Sequence, residues 1–173
     1  MSIILCGLPF SGKTTTGKML AETLNWLFID TDQLIEEAYA VTAKKKCTCR
    51  QIFANEGELA FRELEKQQIA NLSSSSYSII SIGGGALGDK ENVTVLRSKG
   101  DMIYLKTPLS LLWKRLQKHG IPAYLNPNEP KNAFFEMAKN RTPLYEAAAQ
   151  FTIETSHSNQ KEIGSKILRL YGK

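Results

Sequence analysis

Gly7-Leu8-Pro9-Phe10-Ser11-Gly12-Lys13-Thr14 decides the fold. The stretch matches the phosphate-binding pattern G-x-x-x-x-G-K-[ST] at every fixed position. Its flanks fit as well. Ile3-Ile4-Leu5-Cys6 before it reads as a buried strand, and Thr15 to Leu24 after it carries a helical pattern. A strand, a loop and a helix in that order aim backbone N–H groups and a helix N-terminus at one point, which suits a polyphosphate. In such a loop the Lys13 ammonium reaches the β- and γ-phosphates and the Thr14 hydroxyl ligates Mg²⁺. The motif alone predicts a bound nucleotide and identifies no phosphoryl acceptor.

Outward from the loop, apolar runs alternate with helical patterns. The strands expected are Ser2–Cys6, Trp26–Ile29, Ser78–Ile82, Met102–Leu105 and Phe151–Glu154, with a closing helix at about 161–171. Strands apolar on both faces and separated by helices imply a parallel sheet covered on both sides. The fold class is therefore α/β, a three-layer α/β/α sandwich with its ligands at the carboxyl ends of the strands. Two regions break the alternation. Residues 31–76 hold two helical patterns, about 33–39 and 57–72, with no strand between them, and read as an acceptor-binding insertion. Residues 118–131 contain Gly120, Pro122, Pro127 and Pro130 and predict a mobile, lid-like loop before a helix from about Asn132.

At 173 residues the chain is long enough for one domain with a sizeable core. No apolar run approaches the roughly 20 residues of a membrane span, and no basic segment precedes the phosphate loop, so the expectation is a cytoplasmic protein without a signal peptide or membrane partner. The net charge of +5 invites a nucleic-acid reading, but the only dense basic run, Lys44-Lys45-Lys46, falls between two helices with no recognition motif. Cys47-Thr48-Cys49 is too tightly spaced for the usual zinc pairs, so these thiols and Cys6 are expected to be free. His119 and His157 lie in polar segments and read as solvated.

Four further constellations carry chemistry. Asp30-Thr31-Asp32 ends the second strand, where residues two apart share a face. One carboxylate can help hold Mg²⁺ and the other can accept a proton from a substrate hydroxyl, although an aspartate here also suits a helix N-cap. Gly83-Gly84-Gly85 follows an apolar strand and lets backbone N–H groups approach a ligand. Arg62 shares a helix face with Glu58 and Glu65, as a solvated ion-pair row or as an arginine held ready for an anionic substrate. Arg141, ahead of Pro143, is expected just before a proline-initiated helix start.

Together these residues resemble the shikimate kinase family. The family's phosphate loop, D-T-D, F-R-x-x-E, G-G-G-A and R-x-P-L-Y occur here in order as Gly7–Thr14, Asp30-Thr31-Asp32, Phe61-Arg62-Glu63-Leu64-Glu65, Gly83-Gly84-Gly85-Ala86 and Arg141-Thr142-Pro143-Leu144-Tyr145, covering about 1–150. The resemblance implies a nucleoside-monophosphate-kinase-like fold with a five-stranded parallel sheet. The chain would be a single P-loop kinase domain over 1–173, with a substrate-binding insertion at about 31–76 and a lid at about 114–131. It implies transfer of the γ-phosphoryl of ATP to the 3-hydroxyl of shikimate, a step of aromatic amino-acid biosynthesis, by a monomer.

Residue by residue, the resemblance gives ATP to the whole loop Gly7–Thr14, to Thr15 and to Arg115, which would pack against adenine. It gives shikimate to Asp32, Arg62, Gly83, Gly84, Gly85 and Arg141, and Mg²⁺ to Thr14 and Asp30. Lys13, Asp32 and Arg141 would be catalytic, with Glu65 orienting Arg62. The chain departs from the family at the lid. An arginine commonly stands there before the proline, and here Ile121 precedes Pro122, so that Lys118 or Lys114 would have to substitute. Val41–Cys49 is a few residues longer than usual and reads as a solvated loop, and the usual arginine near Ser156–Gln160 is missing. The alternatives are another small-molecule kinase of this fold, gluconate-kinase-like, and a weakly active module that binds ATP and shikimate.

Overall fold

A computed structural model describes residues 2–73, 77–120, 125–126, 128–156 and 158–172. The five strands are β1 (Ser2–Cys6), β2 (Leu27–Asp30), β3 (Ser78–Ser81), β4 (Gly100–Lys106) and β5 (Phe151–Glu154), and every pairing is parallel in the order β2-β3-β1-β4-β5. Strand β1 lies at the centre because each of its residues is buried, as a strand covered on both faces requires. Its one hydroxyl, Ser2 Oγ, is satisfied by Ser78 Oγ at 2.9 Å.

Alternate residues of the sheet feed opposite layers. Ile3, Leu5, Ile79 and Ile103 face a core closed by α1 (Lys13–Leu24) and α7 (Gln160–Leu170), with Leu20, Ile163 and Ile167 as its helical side. Ile4, Ile80, Met102 and Tyr104 face the other core, built from α3 (Cys49–Ala70), α4 (Lys90–Lys99), α5 (Leu109–His119) and α6 (Pro130–Ala148). Each of these isoleucines, taken out of water, contributes roughly 1.5–3 kcal/mol. After β1 the chain turns toward the β2 edge, whereas after β3 it crosses to β4 on the far side of β1. The carboxyl ends of β1 and β3 therefore flank a topological switch point, the place where such sheets take their ligands.

The insertion consists of α2 (Thr31–Ala43) and α3, with a small core of Ile35, Cys47, Ile52 and Phe61. Thr48 caps α3 in a reciprocal capping box with Gln51. Gly57 interrupts α3 at φ 84°, a conformation that glycine adopts without strain. Several expected boundaries move. Helix α2 continues to Ala43 and Cys47 is buried, so Val41–Cys49 is solvated from Val41 to Lys46 and at Thr48, but its first residues are helical and Cys47 is not solvated. Arg141 stands within the continuous helix α6 rather than ahead of a new one, and Pro143 is interior to it. Among the described residues no helix is long and apolar enough to cross a membrane.

The tightest backbone contact in the sheet generates a prediction. A Cβ at Gly100 would overlap the backbone of Ser2 on the adjacent strand, whereas one at Gly164 would meet only the mobile end of Met19. Gly100→Ala is expected to lower stability by about 1–3 kcal/mol in urea unfolding, and Gly164→Ala by clearly less.

Candidate active site

The loop between β1 and α1 opens with Gly7 at φ 144°, where a Cβ would lie 2.9 Å from the Leu105 carbonyl oxygen, and closes with Gly12 at φ 96°. Gly12 also caps α1 without a side chain, so the helix N-terminus is left open to a ligand. Lys13 is 9% exposed and its ammonium donates to the carbonyls of Gly7 (2.9 Å) and Leu8 (3.1 Å). Burial pulls its pKa down, and the carboxylates of Asp32 and Asp30 push it back up. Among the described residues the buried hydroxyls of Ser11 and Thr16 lack hydrogen-bond partners. The loop faces a cleft of about 790 Å³, walled across from it by Arg115, Lys118 and His119 of α5 and by Ser158, Asn159 and Gln160 at the start of α7.

Asp30 and Asp32 come together differently from the strand alternation that the sequence suggests. Strand β2 stops at Asp30, which caps α2 by accepting from the Asp32 amide at 3.1 Å. The second oxygen of Asp30 accepts from the Thr14 hydroxyl at 2.9 Å. Thr31 between them is buried, and its hydroxyl accepts from the Gly83 amide at 3.0 Å. This clip ties α2 to the end of β3. It also means that the Gly83 amide is already engaged, so the expectation of three donors free for a ligand is corrected at that position. Asp32 stands where water still reaches it through the cleft, yet the crowding of protein atoms, followed by the Asp30 charge, raises its pKa to about 6.

Asp32, Arg62, Gly83–Gly85 and Arg141, the residues expected to take the acceptor, line one cleft of about 540 Å³ together with Glu65. Arg62 and Glu65 sit one turn apart on α3 and pair at 2.7 Å, the Glu65 side chain being almost wholly buried. Glu58 lies farther from Arg62, at 3.8 Å and exposed. The two readings of this row therefore merge, since the pair is formed but Glu65 is no solvated surface acid. The Arg62 guanidinium lies so close over Gly85 that a Cβ there would fall 2.5 Å from it, and a Cβ at Gly84 would fall 3.4 Å from Arg141. Gly83 gives room in the same way to Asp32 and Glu65.

Three residues at this cleft or behind its glycine turn were given no site role from sequence. The Tyr145 hydroxyl donates to the Gly84 carbonyl, and burial raises its pKa. Its spacing of four from Arg141 on one helix was the available signal. Cys49 lines the cleft and its thiol donates to the Asp32 carbonyl at 3.2 Å. His119, expected to be solvated, is exposed but stacks on Phe10, with ring centroids 5.7 Å apart. Arg115 donates to the Phe10 carbonyl at 2.8 Å and lines the nucleotide-side cleft, while Lys114 lines neither cleft. The lid positions Ile121 and Pro122, and also His157, lie outside the described residues. The three cysteines are free.

Thr14 and Asp30 offer two hard oxygens beside the open helix N-terminus. That set fits Mg²⁺, which keeps several waters and leans on phosphate oxygens rather than a protein cage. No cluster of three or more His, Cys, Asp or Glu residues that could hold a metal occurs among the described residues.

A family model described as shikimate kinase matches residues 9–171. A shikimate kinase of Actinobacillus pleuropneumoniae is 34% identical over 169 residues, covering 98% of this chain and 94% of that protein. One of Haemophilus influenzae is 35% identical over 170 residues, with 98% and 91% covered. Among solved structures, shikimate kinase from Acinetobacter baumannii in complex with shikimate superposes with a TM-score of 0.88 at 34% identity, over 98% of this chain and 92% of that one. The enzyme from Bacteroides thetaiotaomicron gives 0.80 at 29%, over 99% and 97%.

Tyr145 supports the glycine turn from below through a single hydroxyl. Tyr145→Phe is expected to cost about 1–2 kcal/mol, read from the urea midpoint, because the Gly84 carbonyl loses its donor while the ring still fills the core. An unchanged midpoint would show that water replaces the hydroxyl.

Proposed function

We propose, for a chain that belongs to the shikimate kinase family, that it transfers the γ-phosphoryl of ATP to the 3-hydroxyl of shikimate through the two clefts that meet at the phosphate loop. The observation that carries this reading is the acceptor cleft. It sets two arginines, a carboxylate with a raised pKa and a side-chain-free turn beside a loop built for polyphosphate. A small anion with several hydroxyls suits that set. Arg62 and Arg141 present planar guanidinium groups to its carboxylate, and Arg62 is held by Glu65 before the ligand arrives.

In the proposed mechanism the ATP phosphates lie against the loop Gly7–Thr14 with Thr15, and the Lys13 ammonium exchanges its loop carbonyls for phosphate oxygens. The negative phosphates keep Lys13 charged in spite of its burial. Thr14 and Asp30 would hold Mg²⁺, which would supply neutralisation of phosphate charge. Arg115 packs against the base from α5. Asp32 accepts the proton of the attacking hydroxyl, and Arg141 steadies charge on the acceptor side. Little covalent chemistry falls to the protein, so positioning and charge neutralisation account for the rate. The insertion at 31–76 acts as the acceptor lobe of a single domain and about 114–131 as its lid. The chain works as a monomer in the cytoplasm, a reducing compartment that its three free thiols suit.

Release of ADP that depends on shikimate tests the reading directly. Turnover with gluconate and none with shikimate would replace the substrate, and tight binding of both ligands without product would make the chain a binding module. Asp32→Asn is expected to lower kcat by about 10²- to 10⁴-fold while ATP affinity, measured by calorimetry, changes little; equal loss of both would make Asp32 structural. The pH profile has a definite sign. Asp32 works as the carboxylate, and its pKa is raised to about 6. Activity should therefore hold above that pH and fall about tenfold per unit below it.

A further inference from the structure

Phe10 and His119 are the two residues, among those described, that line both the nucleotide-side cleft and the acceptor cleft. A phosphoryl group passing from one cleft to the other crosses the boundary at which they stand. Phe10 is itself an outlier, with φ 64°, a left-handed conformation that a bulky side chain rarely adopts. Outliers of this kind persist where the surroundings over-determine them, and they cluster at functional sites. Here α5 supplies the surroundings. Arg115 donates to the Phe10 carbonyl at 2.8 Å, and the His119 ring stacks on the Phe10 ring with centroids 5.7 Å apart and planes 18° apart.

The stack has a chemical consequence. It fixes the plane of the imidazole and uses only its face, while both ring nitrogens lie at the edge. Neither has a hydrogen-bond partner among the described residues. An imidazole has an N–H to donate whether neutral or protonated. No lysine or arginine among the described residues lines both clefts: Lys13, Arg115 and Lys118 line the nucleotide-side cleft, and Arg50, Arg62 and Arg141 the acceptor cleft.

Resting on the function proposed above, we infer that His119, with its ring oriented by Phe10, is a catalytic residue that donates a hydrogen bond to the phosphoryl group in transit. The bond from the γ-phosphorus to the ADP oxygen breaks with its electron pair going to ADP. The bond to the shikimate 3-oxygen forms, and the hydroxyl proton passes to Asp32. His119 gains and loses no proton. It stabilises charge on the equatorial oxygens, which are shared by both clefts at that moment and by neither alone.

The test is steady-state kinetics with ATP and shikimate on the full chain carrying His119→Phe, which keeps a stacking ring without a donor, and His119→Gln, which keeps a donor without the ring. His119→Phe is expected to lose kcat on the order of 100-fold, the low end for one preorganised donor, with KM for both substrates within about twofold. His119→Gln is expected to recover part of that loss. Wild-type kcat in His119→Phe, or equal loss in both variants together with a raised KM for ATP, overturns the donor role and leaves His119 as packing for Phe10. Both variants are read beside the wild type. A wild type that turns over no shikimate overturns the substrate assignment, whereas an active wild type matched by His119→Phe overturns this inference alone.

Discussion

Packing against the bare Cα positions of Gly83, Gly84 and Gly85 sets where the charged groups of the acceptor cleft stand. Asp32 and Glu65 come up against the first glycine, Arg141 against the second and Arg62 against the third. A single Cβ at the first or third would displace a carboxylate or a guanidinium. The turn is held from both sides by the Thr31 hydroxyl on the Gly83 amide and the Tyr145 hydroxyl on the Gly84 carbonyl. The glycines serve as a floor for charged side chains at least as much as a surface of donors. Because the floor follows β3 beside the loop that follows β1, it inherits its position from the switch point of the sheet.

Electrostatics links the floor to the loop. The charges of Asp32 and Asp30 raise the proton affinity of Lys13 against its burial, and those of Asp30 and Glu65 add to the effect of burial on Asp32. Under the proposed function, incoming phosphate would meet a buried ammonium held by two carbonyls, and an incoming hydroxyl a carboxylate whose affinity for protons has been raised.

The sheet was legible because its strands are apolar on both faces and its breaks fall at a loop motif and a glycine triplet; all five strands stand within one or two residues of where the pattern placed them. The loop, the D-T-D turn and the arginine–glutamate pair were legible as local spacings. What escaped was non-local or against the local rule. Proline favours helix starts, so Pro143 suggested a boundary inside α6, where tertiary packing of Phe134, Ala138 and Tyr145 carries the helix through. The meeting of Phe10 with His119 and of Thr31 with Gly83 joins residues far apart in the chain. No periodicity encodes such a pair. Cys47 was hidden because a lysine run precedes it, and only the α2–α3 packing shows it buried.

The thiol at Cys49 bears on how the acceptor cleft could be targeted. It lines that cleft and invites attachment of an electrophilic inhibitor, yet burial and the negative charges of Asp32 and Glu36 push its pKa well above the ordinary thiol range. The thiolate is the nucleophile, so the sulfur is present and slow. Asp32 and Glu36 thus help to insulate the cleft from alkylation, and a reversible ligand with a carboxylate for Arg62 and Arg141 suits this surface better than a covalent warhead.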